Sequence, residues 1–419
     1  MNRGLQNNVS KIWFVFPEKD LGGVPTLIIN LALIFNESQQ SINLIISKES
    51  YLQKKLNLIG ASFNYIYFED LKYKNDRNSV SSNDVLVVFN WYLELKYFQY
   101  INPRILFWNV FPDTFLRANI IPNIIRRYYD SKILVNKLYN ILIKANGIVF
   151  MDGAPFFTNK YGLPLDNISY LPIPVVNCEN VYLKKINLDE KGNLPLRITY
   201  IGRGVDWKIF PFIKVLEDLN LYQDDFSKVA FYVITENPDK YDQYVHKYVQ
   251  NNNINIQYIS DISEDNLHLF LLNNTDINIS MGTSALESAK LGIPTILMDA
   301  SYNKISDKYL YKWLFETHQY CLGTILNDDN IAHGFNLVVE LKRLQSDVER
   351  ITEISDLCYN YVVKNHDINI ITLDLHRYAD KTTLRYNNIR NRMFIYTRMG
   401  IFIIRIVRFF KALRLKLAI

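Results

Sequence analysis

Arg203 and Lys208 stand five residues apart in Ile201-Gly202-Arg203-Gly204-Val205-Asp206-Trp207-Lys208. A guanidinium offers a planar fork of donors and an ammonium offers a compact point charge, so the two together suit a pyrophosphate. Charge-assisted hydrogen bonds of that kind contribute roughly 1.5–3 kcal/mol each. The pair sits between an apolar run at residues 196–201, which reads as a strand, and a helical pattern at 207–219. Cations at a helix start oppose its dipole unless an anion sits with them. The alternative is that both side chains are simply solvated around the helix start. Gly202-x-Gly204 also invites a dinucleotide fingerprint, but Trp207 stands at the third glycine position, which rejects that reading.

A second segment is Ser280-Met-Gly-Thr-Ser-Ala-Leu-Glu287-Ser-Ala-Lys-Leu-Gly-Ile-Pro294. Residues 275–279 read as a buried strand, and Gly282 permits a tight turn. Thr283 or Ser284 is expected to cap a helix over 284–291, which Gly292 and Pro294 stop. Such a helix start presents free N–H groups to a phosphate, and Glu287, one turn in, is placed to reach a sugar hydroxyl. The competing reading is that Ser284 and Glu287 form a capping box serving only their own helix.

A third loop, Asp20-Leu21-Gly22-Gly23-Val24-Pro25, follows the first strand. Its glycines let backbone approach a ligand closely, ahead of another helix start. A general base, where one is needed, has candidates in Asp113, Asp152 and Asp20, each of which also reads as a cap or turn residue. No Asp-x-Asp flanked by apolar strand is present. The six histidines are scattered, and a lone one such as His268 reads as a surface or satisfied core residue. Cys178, Cys321 and Cys358 lie far apart without metal-ligand spacing, so no metal site is expected.

These loops need strands and helices to position them. Strands are expected at residues 11–16, 42–46, 63–68, 84–89, 104–109 and 147–151, with helices at 24–35, 124–145 and 155–161. After a proline-bracketed polar stretch the alternation restarts. Strands are expected at 196–201, 228–234, 254–258, 275–279 and 294–298, and helices at 207–219, 239–251, 264–272 and 284–291, with 327–364 helical beyond. Alternation of this kind implies parallel sheets covered on both faces. The fold class is therefore α/β, with two Rossmann-like domains facing each other across a cleft. Domain 1 spans residues 1–171, a linker 172–195, domain 2 196–380 and a basic tail 381–419. Ligands of such sheets bind outside the carboxyl ends of the strands.

Taken together, the loops resemble the donor site of group 1, family-4-like glycosyltransferases. The matching elements are Gly22-Gly23 followed by Leu31-Ala32, Gly202-Arg203 with Lys208, and Gly282, Glu287 and Gly292-Ile293-Pro294. The resemblance covers most of residues 11–300 and implies the two-domain GT-B fold. It further implies that the second domain binds a nucleotide-sugar, that Arg203 and Lys208 hold its pyrophosphate, and that Glu287 contacts ribose hydroxyls. Gly22, Gly23, Gly282, Thr283 and Ser284 would complete the donor site, and no cofactor is implied. One position departs from the family: the acidic residue often found eight places before the helix Glu is Ile279 here. The stereochemical outcome of transfer is thereby left open.

The chain has 419 residues, 49% of them apolar, which is enough for two or three domains with sizeable cores. The formal net charge of +5 is uneven. Nine of the 47 Lys and Arg fall in residues 385–419 with no acid among them, leaving the rest slightly acidic. On a helical wheel Phe402, Ile403, Ile406, Phe409, Phe410, Leu413 and Leu417 share an arc, with Arg398, Arg405, Arg408, Lys411, Arg414 and Lys416 outside it, although Ile401, Ile404, Val407 and Leu415 also fall outside. This reads as a basic amphipathic helix lying in a membrane surface. Seven large apolar side chains, even half buried, give on the order of 5–10 kcal/mol gross, and anionic lipid adds ~1 kcal/mol per basic residue. A nucleic-acid partner would leave the apolar arc wet; docking of the arc onto the protein body is the competing reading. No signal-peptide core and no run of ~18 apolar residues appear. The expected location is cytoplasmic, peripheral to the inner membrane, with a lipid-linked saccharide acceptor of capsule or lipopolysaccharide synthesis. The rival readings are a non-catalytic nucleotide-sugar or glycan binder and a sugar-nucleotide epimerase, both on the same fold.

Overall fold

The computed structural model describes residues 10–19, 22–38, 41–90, 92–110, 131–153, 168–176, 196–223, 229–248, 254, 256–260, 262–326 and 334–390. The chain divides into two units. Unit 1 runs to Pro174 and resumes at Ile368; unit 2 is Val175–Asp367.

In unit 1, β1 (Ile12–Phe16), α1 (Gly23–Glu37), β2 (Ile42–Ile46), α2 (Tyr51–Leu58), β3 (Phe63–Tyr67), β4 (Val85–Val88), β5 (Arg104–Asn109), α3 (Ser131–Lys144) and β6 (Ile148–Phe150) follow in chain order. The sheet order is β3-β2-β1-β4-β5-β6, and every pairing is parallel. Ile-Trp-Phe-Val-Phe, Ile-Asn-Leu-Ile-Ile and Val-Leu-Val-Val are buried along their whole lengths. A parallel sheet covered on both faces favours such near-continuous apolar runs, and the one polar residue among them, Asn43, donates to Ile12 O.

Unit 2 repeats the scheme with β7 (Leu196–Ile201), α4 (Asp206–Gln223), β8 (Val229–Ile234), α5 (Pro238–Tyr248), β9 (Ile256–Ile259), α6 (Glu264–Asn274), β10 (Ile277–Ser280), α7 (Thr283–Ala289), β11 (Thr295–Leu297), β12 (Lys312–Trp313), α8 (Leu337–Ser346) and α9 (Val348–His366). Its order is β12-β11-β10-β7-β8-β9, parallel except for the antiparallel β11–β12 pair. Strand β10 starts two residues later than its apolar pattern suggests. Thr275 bonds the hydroxyl of Thr199, and the Asp276 carboxylate accepts from the backbone and guanidinium of Arg197. Residues 327–364 are not one helix: Asn336 caps α8 and Asp347 caps α9 through their side chains.

The chain returns to unit 1 at Ile368, ahead of the boundary expected at 380. Helix α10 (Ile368–Lys381) packs on α1 and β5. Arg104 donates to the carbonyls of Ala379 and Asp380, Thr382 Oγ1 donates to Ile105 O at 2.7 Å, and Ile105 N donates to Leu384 O at 2.8 Å. Leu384, Tyr386 and Ile389 are buried with the unit 1 core, so residues 381–390 are not free tail. Nothing in their sequence has a period of its own; the core they fill gives them their place.

Candidate functional site

In each sheet the strand order reverses between two neighbouring strands, β1 and β4 in unit 1 and β7 and β10 in unit 2. Loops leaving such a point cannot cross, and the crevice they bound is where open α/β sheets take ligands. In unit 2 the loops are those carrying Arg203 and Gly282, and they leave side by side because Ile201 pairs with Ser280.

The first loop is held by two buried tyrosines. Tyr241 donates its hydroxyl to Arg203 O at 3.1 Å, and Tyr200 donates to Lys208 O at 3.0 Å. Burial pushes both phenols well above their ordinary value, so they remain neutral donors. A Cβ on Gly202 would stand 2.9 Å from both the Tyr200 ring and the Tyr241 hydroxyl, which is why a glycine is needed there. These tyrosines were missed by the sequence reading; their only signal was an aromatic two places before the loop and another in the following helix.

The loop presents an exposed Arg203 and a half-buried Lys208. Among the described residues neither charge has a carboxylate within ion-pair distance; nearby, Asp206 is taken by Lys240 at 2.8 Å. Burial first, and the Arg203 charge second, lower Lys208 to about 8 against the opposing pull of Glu236. The loop thus holds two cations that repel each other, one partly stripped of water.

In the second loop Gly282 adopts φ 69°, a left-handed conformation that favours glycine, and its N–H donates to Leu322 O at 2.8 Å. Helix α7 begins with Gly282 as its cap and has no side-chain capping bond. The expected caps at Thr283 and Ser284 are therefore corrected, as is the capping box, because the Glu287 side chain turns elsewhere. Its Oε2 lies 2.9 Å from His268 Nε2 on α6 and 2.5 Å from Lys290 Nζ. Burial by itself would raise the Glu287 carboxyl. The His268 hydrogen bond and the Lys290 ammonium outweigh it and hold the group below its ordinary value. His268, read from sequence as a bystander, touches the site; nothing in its local pattern reveals a contact made across nineteen residues. Ile279 lies fully buried in β10, so that position carries no carboxylate.

In unit 1, Gly22 is extended, α1 begins at Gly23, and the first turn of α1 carries no acid. Of the candidate bases, Asp152 is buried just after β6, whereas Asp113 and Asp20 lie outside the described residues. So do Arg398, Phe402, Arg405, Ile406, Phe409, Phe410 and Leu413 of the expected membrane helix, and most of the expected linker. Among the described residues no cluster of His, Cys, Asp and Glu is arranged to hold a metal ion, and no helix is long and apolar enough to cross a membrane.

No protein-family model matches the chain, and no curated protein matches it in sequence. Solved structures do match. A glycosyltransferase from Rickettsia africae ESF-5 is similar over 90% of this chain and 99% of its own, with TM-score 0.58 and 15% identity. Anabaena Alr3699/HepE in complex with UDP and glucose is similar over 88% and 99%, with TM-score 0.54 and 10% identity. The lipopolysaccharide outer core galactosyltransferase WaaB, in its apo form, covers the same shares with TM-score 0.51 and 10% identity. The two six-stranded sheets and their helices are those of the two-domain GT-B α/β fold.

Proposed function

We propose that this protein is a glycosyltransferase that takes its donor sugar from a nucleotide-sugar. The observation that carries the reading is the pair of cations, Arg203 and Lys208, without a carboxylate in ion-pair reach among the described residues, on a loop at the reversal point of the unit 2 sheet. A nucleoside diphosphate is the leaving group in such a transfer, and its charge grows as the glycosidic bond breaks. Fixed donors aimed at developing charge are the largest single contribution many enzymes make. Arg203 and Lys208 would hold the two phosphates, the Gly282 loop would approach the sugar-phosphate, and Glu287 would accept from the ribose. The likeness to HepE, solved with UDP and glucose, and to WaaB, a galactosyltransferase, supports this choice of donor class.

The proposal extends to the acceptor. A lipid-linked saccharide in capsule or lipopolysaccharide synthesis, reached from the inner-leaflet surface through the basic segment at 398–413, fits the charge and apolar pattern of that segment. Asp113 is the candidate base if the transfer inverts configuration, and Gly22 and Gly23 are the candidate donor-contacting glycines of unit 1.

The test is transfer or donor hydrolysis by the purified full chain with a panel of UDP-, GDP-, ADP- and CDP-sugars. Turnover with one donor is expected, together with its loss in Arg203→Ala while the melting curve stays cooperative. Wild-type turnover in Arg203→Ala and Lys208→Ala would remove the assignment.

A further inference from the structure

The Glu287 carboxylate is engaged unevenly. Both neighbouring donors, His268 Nε2 and Lys290 Nζ, reach the same oxygen, Oε2. Oε1 accepts no hydrogen bond among the described residues and is not sealed from solvent. The Lys290 side chain is 2% exposed and that of Glu287 20%. Because Oε1 is open to solvent, leaving it without a protein donor costs little and keeps it available to a ligand hydroxyl. Lys290 by itself already neutralises the carboxylate. A second donor on the same oxygen, from a different helix, therefore adds orientation more than charge balance.

We infer that His268 and Lys290 are positioning residues: they pin Oε2 of Glu287 from two helices and so present Oε1 as the acceptor for a ribose hydroxyl of the bound nucleotide. This rests on the nucleotide-sugar reading above. Without the two contacts a glutamate carries three free torsions, and immobilising it on binding opposes affinity. With them the acceptor is set before the nucleotide arrives. Lys290 also ties Glu287 to the fold, since its buried ammonium needs the carboxylate. Glu287→Ala consequently removes a structural partner along with the ligand contact, and His268 is the cleaner place to separate the two roles.

The experiment is calorimetric titration of the full chain with UDP, GDP, ADP and CDP, and in parallel with inorganic pyrophosphate, which has no ribose. His268→Ala is expected to weaken the best-bound nucleoside diphosphate on the order of tenfold and to leave pyrophosphate unchanged. His268→Gln, whose amide can donate to the same oxygen, is expected to restore most of the loss. Arg203→Ala should weaken both ligands. Should His268→Ala fail to melt cooperatively, His268→Leu carries the same comparison. Unchanged nucleotide affinity in the His268 variant, an equal loss for pyrophosphate, or no rescue by Gln overturns the inference; the Arg203 result then shows that the functional reading stands. If no nucleoside diphosphate binds the wild type, or Arg203→Ala changes neither ligand, the functional reading fails and this inference falls with it.

Discussion

The two sheets share one strand order, yet the loops at their reversal points are built differently. After β1 the chain passes Gly22 and Gly23, and a Cβ on Gly23 would meet nothing within 4 Å. After β7 it passes Gly202, where a Cβ would strike two tyrosines, and then carries two cations. One glycine leaves space; the other is demanded by the protein's own packing. Topology therefore places a loop at the right point in both units, while the side chains behind it decide what the loop can hold. The unit 2 loop is braced by Tyr200 and Tyr241 and charged, which is what an anion site requires.

The largest expected effect tests the charge half of this contrast. Replacing Arg203 and Lys208 together by alanine should weaken nucleoside diphosphate binding about a hundredfold or more, at roughly 1.5–3 kcal/mol per charge-assisted bond. Lys19→Ala, in the unit 1 loop, should change it little. Calorimetry reads both, and equal losses would break the contrast. The packing half comes next. Gly202→Ala should lower stability by about 1–3 kcal/mol, the usual cost of overpacking, while Gly23→Ala should stay within about 0.5 kcal/mol. Urea melts of the two variants are the measurement.

A smaller effect follows from Lys208, which titrates at about 8 instead of its ordinary 10.5. An anion binds the protonated form, so binding near pH 8 should take up a proton. Affinity should fall as pH rises further, by up to about tenfold per unit. For folding the sign runs the other way. The unfolded chain holds this proton up to 10.5 and the folded chain only to about 8, so stability should gain with pH across that interval. Lys208→Met should abolish both trends. The smallest effect concerns Glu287, whose carboxyl is held below its ordinary 4.5. Its contribution is present above that value and is lost as pH falls through the lowered one. Glu287→Gln should therefore flatten the acid limb of the stability curve.

The strands were the most legible part of the sequence. Residues 42–46, 104–109 and 196–201 match β2, β5 and β7 residue for residue, because a doubly covered parallel strand leaves a short, mostly apolar run. Loop positions at strand ends were legible too, since Gly202 and Gly282 interrupt those runs. What held the loops was not. Tyr241 reaches Arg203 through its hydroxyl across thirty-eight residues of chain, Tyr200 reaches Lys208 across eight, and His268 reaches Glu287 from another helix. A one-dimensional pattern records periodicity, not such meetings. The capping-box spacing of Ser284 and Glu287 was equally legible and misled, because the ammonium and imidazole nearby are better partners for a carboxylate than its own helix end. Helix α10 was overlooked because the basic run after it dominated the composition of the last fifty residues.

The return of the chain at Ile368 bears on how the basic segment can be studied at all. A Cβ on Gly147 would come within 2.5 Å of the Leu384 side chain, so this leucine is a wedge driven into a slot beside β6. Cutting the protein at 380, where composition changes, would pull that wedge and strip the edge of a six-stranded sheet. Any loss of lipid binding would then be confounded with damage to unit 1. A stop codon after Arg390 leaves the wedge seated, and only a protein shortened there can report on what the remaining residues do.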